Sequence, residues 1–260
     1  MKSDCDEAVS TVVALMLVLA ILATCIAIYS ATYVPGLKQQ SEILHSEEVQ
    51  YAFQRLSSDV DNLYSLRKSA QFSEPVPLGG GAILLSPVKS SGTIELAENR
   101  IGTLNITLSG GSSHEIPINT TNITYTPSYS SWELQGYTYR NGVVWITKGA
   151  KRTPAALSQY SVQKGLIQEN TTQNLWLERM GTVIPEGNGN YTMRIVTMTP
   201  VAGKISATGS GTAKILLNAA ETRHFYENVM TVTLNSQTLK DFPSPANLTL
   251  STLSVEVSVE

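Results

Sequence analysis

Cysteine is nearly missing from this chain of 260 residues, and both copies, Cys5 and Cys25, fall near its start. Everything after residue 25 therefore has neither a disulfide framework nor a thiolate metal site, and core burial has to hold it together. Charge is scarce as well, at 15% of residues against about 25% in an average soluble domain. The formal net charge of −3 gives no basic excess for nucleic acid and no strongly acidic surface for concentrated salt. Histidine occurs three times, as His45, His114 and His224, never in a metal-binding spacing such as H-E-x-x-H. The glycine clusters Gly79-Gly80-Gly81 and Gly209-Ser210-Gly211 lack the Lys-Ser/Thr that completes a phosphate loop, and no G-x-S-x-G elbow occurs. Carboxylates paired from distant positions leave no mark in a sequence. Still, no motif calls for a cofactor or a metal, and an enzyme is not expected. No internal repeat is visible, which argues against a solenoid or propeller.

What is present is one long apolar run. No charged residue occurs from Ala8 to Leu37. As a helix rising ~1.5 Å per residue, residues 9–34 cross a ~30 Å hydrocarbon layer with length to spare. A dozen Val, Leu and Ile give about −4 to −7 kcal/mol for insertion, with no charge opposing it. A secretory signal fits poorly, because MKSDCDE carries one Lys against three acids and the apolar part is too long. A lipoprotein reading would use Leu22-Ala23-Thr24-Cys25, where Thr is an unfavourable neighbour for a lipidated Cys. A plain uncleaved anchor remains physically sufficient.

The order Asp6, Glu7, Ala8 and then the apolar run from Val9 resembles the class III leader of archaeal type IV pilins and archaellins. That resemblance covers the N-terminal segment. It implies that a prepilin-type peptidase removes residues 1–8, cutting between Ala8 and Val9, and that the helix is retained. Bacterial pilins carry Glu at the fifth mature position, which is Val13 here; archaeal members commonly lack it. The partners implied are membrane lipids before assembly, then like or related pilin subunits. The alternative is a single-pass, membrane-anchored surface protein for binding or adhesion that does not polymerise. Lys2 and Lys38 flank the run almost symmetrically, so orientation rests on the sequons described below. They place the C-terminal part outside the cell.

Residues 35–70 form an amphipathic stalk. Pro35-Gly36 predicts a kink or helix break. Beyond it Val49, Phe53, Leu56, Val60 and Leu63 recur in 4-3-4-3 steps and make one apolar stripe. Such a stripe suits a partner helix in a two-stranded coiled coil or the chain's own β domain.

Residues 71–260 read as a β-rich extracellular domain, with a possible subdivision near 150–160. Gln71–Gly81 reads as a turn-rich linker. Short strands are expected at 82–86, 93–97, 103–108, 192–199, 212–217 and 228–234, and a short helix at 153–160. Trp132–Arg140 and Val143–Thr147, joined by Asn141-Gly142, predict a hairpin with a type I′ turn. Leu253, Val255, Val257 and Val259 alternate with polar residues in a half-buried strand. The expected class is α+β: a long N-terminal helix followed by a mainly antiparallel, β-sandwich-like domain.

Six N-x-S/T sequons stand at Asn105, Asn119, Asn122, Asn170, Asn190 and Asn247, where composition alone gives about three. They are glycosylation candidates. Aromatic residues Tyr125, Tyr129, Trp132, Tyr137, Tyr139, Trp145 and Trp176 cluster mid-chain, suited either to stacking on sugars or to a core.

Overall fold

The computed structural model describes residues 4–66, 68–80, 89–157, 177 and 182–260. Two helices joined end to end precede eleven strands: α1 (Asp4–Ile28), α2 (Val34–Leu66), β1 (Ala70–Pro77), β2 (Ser91–Leu108), β3 (Ser113–Ser128), β4 (Gln135–Arg140), β5 (Val143–Lys148), β6 (Lys151–Leu157), β7 (Val183–Gly187), β8 (Asn190–Pro200), β9 (Ser206–Gly209), β10 (Thr212–Leu234) and β11 (Gln237–Val259). The fold is α+β, as expected.

Pro35-Gly36 does not break the helix. A single π turn, Tyr29–Tyr33, joins α1 to α2, and the Val34 N–H donates to the Tyr29 carbonyl five residues back. Pro35 has no N–H and its ring crowds the turn before it. A widened turn at that point absorbs the misfit without ending the helix.

The strands form one hydrogen-bonded sheet in the order β6-β5-β4-β3-β2-β10-β11-β8-β7, with β1 added beside β10 and β9 beside β2. All described pairings are antiparallel except β8 with β11. Strands β3 and β8 are four places apart in that order and yet touch, so the sheet curls over on itself around a shared core. Three strands of 18 to 23 residues make this possible. β10, for example, pairs with β1 through its first half and with β2 through its last residues, and its register with β11 shifts near Asn228, where φ is 57°.

Two sequence expectations are corrected here. Residues 71–77 are strand β1 rather than linker. Lys214, the partner of Pro75, exchanges both backbone bonds with Glu260 on its other side, so Pro75 turns its nitrogen to the open edge. A proline there removes no ladder bond. Residues 151–157 are strand β6, not a helix: Pro154 and Thr153 suit an edge, and among the described residues only β5 lies beside β6. Beyond β1 the backbone is closely packed. A Cβ on Gly79 would fall 2.0 Å from the Ser90 carbonyl oxygen, so close backbone approach requires glycine. The strand expected at 82–86 lies outside the described residues.

The Asn141-Gly142 hairpin forms as expected, with φ of 51° and 80° and Arg140 opposite Val143. So does the final strand, whose Leu253, Val255, Val257 and Val259 are buried.

Candidate functional site

Two features bear on function: the exposed apolar helix α1 and the seating of α2 on the head. Val12, Leu15, Met16, Leu17, Val18 and Leu19 are each 50% or more exposed, and none of the apolar window is buried. Among the described residues this is the one helix long and apolar enough to cross a membrane. Its apolar character runs all round rather than along a stripe, as expected of a helix surrounded by lipid or by other apolar helices. Thr24 and Thr32 return their hydroxyls to the carbonyls of Ala20 and Ile28, at 2.7 and 2.6 Å, which satisfies them without water. Asp6, Glu7, Ala8 and Val9 fall in the first turns of α1.

Helix α2 behaves differently. Val49, Phe53, Leu56, Val60 and Leu63 are all buried, and they pack on the chain's own sheet, against β1 and β4 to β6. The Phe53 ring lies 6.0 Å from that of Tyr137. Of the two surfaces the stripe could have served, it serves the intramolecular one. Below it, Arg55 reaches across to Glu74 of β1 at 2.7 Å, pairing a carboxylate that is only 7% exposed. Asp59 lies near Glu74, and burial together with that neighbouring carboxylate raises its pKa.

A polar cluster, not evident from the sequence, fixes the start of α2 to the head. Glu42 is 2% exposed, and its carboxylate accepts from the Ser130 N–H at 3.0 Å, the Ser131 N–H at 2.8 Å and the Ser130 hydroxyl at 3.2 Å. One turn on, His45 Nε2 donates to the Pro77 carbonyl at 3.2 Å. Nδ1 lies 2.8 Å from the Tyr129 hydroxyl, which donates to it when the ring is neutral and accepts from it when the ring is charged. Burial pushes the His45 pKa down, against smaller opposing effects from the Pro77 carbonyl, Glu48 and Glu42. Tyr137 donates to the Ser46 carbonyl at 2.9 Å, and Tyr125 to that of Leu78 at 3.1 Å. Burial raises the pKa of both phenols, which stay protonated donors.

The mid-chain aromatics are therefore mainly core. Tyr125, Tyr137 and Tyr139 are fully buried and Trp145 nearly so, while Tyr129 belongs to the polar cluster. Trp176 lies outside the described residues. The sequons scatter over the head. Asn190, following a turn with positive φ at Asn188 and Gly189, is exposed at the start of β8. Asn247 lies beside it in register and donates to its Oδ1 at 3.1 Å. Asn105, Asn119 and Asn122 are half-buried on β2 and β3, Asn119 donating to Glu98. Asn170 lies outside the described residues.

Among the described residues no group of three or more His, Cys, Asp or Glu is placed to hold a metal ion. Comparison of the chain with protein-family models, curated proteins and solved structures finds no match.

Proposed function

We propose that this chain is a structural subunit, major or minor, of an archaeal type IV pilus-like cell-surface filament. The observation that carries the reading is the division of one continuous helix. Its first half is apolar and exposed on every side, and its second half is the spine of a β-rich head. A helix of that kind needs lipid before assembly and other apolar helices after it. Once the helices are outside the bilayer, separating the bundle would expose apolar area to water at roughly 25 cal/mol per Å², which holds a polymer without any catalysis. The Asp6-Glu7-Ala8-Val9 order supports removal of residues 1–8 by a prepilin-type peptidase, leaving the helix intact. In this reading the heads face solvent, carry glycans on some sequons and mediate whatever adhesion the filament performs.

N-terminal sequencing of the native protein, with electron microscopy of the cell surface, tests it. A mature start at Val9 together with filaments containing this chain is expected. An intact Met1 in a protein that stays in the membrane as a monomer would establish the anchored, non-polymerising alternative instead. A lipidated Cys25 would overturn both.

A further inference from the structure

One end of the head combines exposed apolar and basic groups at the level where α2 emerges. The contacts of α2 fix which end it is. Glu42 meets Ser130 and Ser131, while Ser46, one turn on, meets Tyr137. The segment joining β3 to β4 thus lies toward α1, and β4 runs away from it. Lys148 is in register with Gln135, so the turn from β5 to β6 is at this same end. Ser90, bonded to Gly80 beside His45, brings Lys89 there too.

The joining segment carries a half-buried Trp132 and an exposed Leu134. The β5–β6 turn adds Lys148, Lys151 and Arg152, all exposed, and Lys38 precedes them on α2. The described acids at this end are Glu133, paired with Lys148 at 3.0 Å, Glu260, paired with Lys204, and buried Glu42; exposed Glu47 and Glu48 follow on α2, more than a turn further from α1. Lys38, Lys89, Lys148, Lys151 and Arg152 thus gather on the side from which the apolar helix of this chain leaves.

The charge-free run of residues 8–37 spans about 45 Å as a helix, the thickness of a bilayer with its headgroups. Glu42 lies five residues further, about 7 Å along the axis. We infer that, before assembly, the Tyr129–Leu134 segment and the Lys148–Arg152 turn rest on anionic lipid headgroups. Trp132 and Leu134 enter the interface and the cations meet phosphate. Glu42 holds the segment in position for that contact. The inference rests on the helix spanning a membrane with the head just outside it. Aromatic residues favour the headgroup level, and each Lys or Arg close to an anionic surface adds to the attraction.

The test uses the full chain in nanodiscs of phosphatidylcholine with or without phosphatidylglycerol, each containing a headgroup-nitroxide lipid that quenches nearby tryptophan. Comparison with Trp132→Phe isolates the Trp132 signal. Quenching of Trp132 is expected, stronger with phosphatidylglycerol. It should fall about twofold or more between 0.1 and 1 M salt, as the screening length drops from ~10 to ~3 Å. The triple variant Lys148→Gln, Lys151→Gln, Arg152→Gln should show the same loss, with unchanged thermal unfolding. Absence of Trp132 quenching, or quenching indifferent to lipid charge, overturns the inference. So does protection of Trp132 that follows the number of chains per disc, which would mean that a second copy covers the patch. Maleimide labelling of Cys25 in the Cys5→Ser background separates the two readings. Reaction with an aqueous reagent would sink the spanning helix itself, and protection without Trp132 quenching would sink only the headgroup contact.

Discussion

Substitution of Phe53 tests whether α2 is the spine of the head or a surface awaiting another helix. Phe53 has no solvent exposure and lies against Tyr137, whereas Tyr51, two residues earlier on the same helix, is 59% exposed. Phe53→Ala removes roughly 150 Å² of buried apolar surface, or about 4 kcal/mol at ~25 cal/mol per Å². The cavity left behind keeps the cost within the 3–5 kcal/mol typical of buried Phe→Ala changes. For a domain of this size that lowers the melting temperature by about 10 °C. Tyr51→Ala should change stability by about 0.5 kcal/mol or less. Urea unfolding of the full chain in detergent, followed by far-ultraviolet circular dichroism, measures both. The Phe53→Ala loss should not depend on protein concentration, because the partner surface is in the same chain. Equal effects at the two positions, or a Phe53→Ala loss that shrinks as protein concentration rises, would refute intramolecular packing.

Replacing Glu42 with Ala deprives two backbone N–H groups of their acceptor and should cost about 2 kcal/mol. Hydrogen exchange should localise the loss to Ser130 and Ser131, whose amides would exchange faster. The His45 pKa is depressed in the folded state, so the unfolded chain binds a proton first as pH falls. Stability from this group is complete above pH ~6.5 and declines as pH drops through the lower folded value. Unfolding measured from pH 8 to pH 5 should show that decline, and His45→Gln should flatten it. Gly142→Ala, at φ 80°, should cost about 1 kcal/mol by forcing a side chain into a left-handed turn position, read as a lower denaturant midpoint. Of the five described sequons, Asn190 is the exposed one, so Asn190→Gln should reduce the mass of native protein by one glycan.

Periodicity made the helices and the simplest strands legible, because their burial patterns repeat over short distances. The stripe from Val49 to Leu63 and the alternation from Leu253 to Val259 are each set by neighbours within one element. The partner of the stripe was not legible, since a 4-3-4-3 pattern suits a helix or a sheet equally well. Prolines misled in both directions. Pro75 and Pro154 sit in edge strands where their geometry costs little, and Pro35 is absorbed by one π turn. Strands β2, β10 and β11 exceed the expected lengths because each bends through bulges and serves different neighbours along its course. The Glu42 and His45 cluster joins residues more than 80 positions apart, and no local pattern announces such a contact.

Because α2 runs back along β1, from the His45–Pro77 contact to the Arg55–Glu74 pair, the response of the head to a load applied through α1 depends on direction. Traction through the N-terminal helix runs along its axis and slides the five stripe residues past the sheet together, over about 21 Å. Parallel loading of that kind distributes force among Val49, Phe53, Leu56, Val60 and Leu63 at once, with Glu42 as the first point of resistance. A sideways pull would instead peel the same contacts apart one by one, so a head held through α1 in the proposed way resists best along the helix axis.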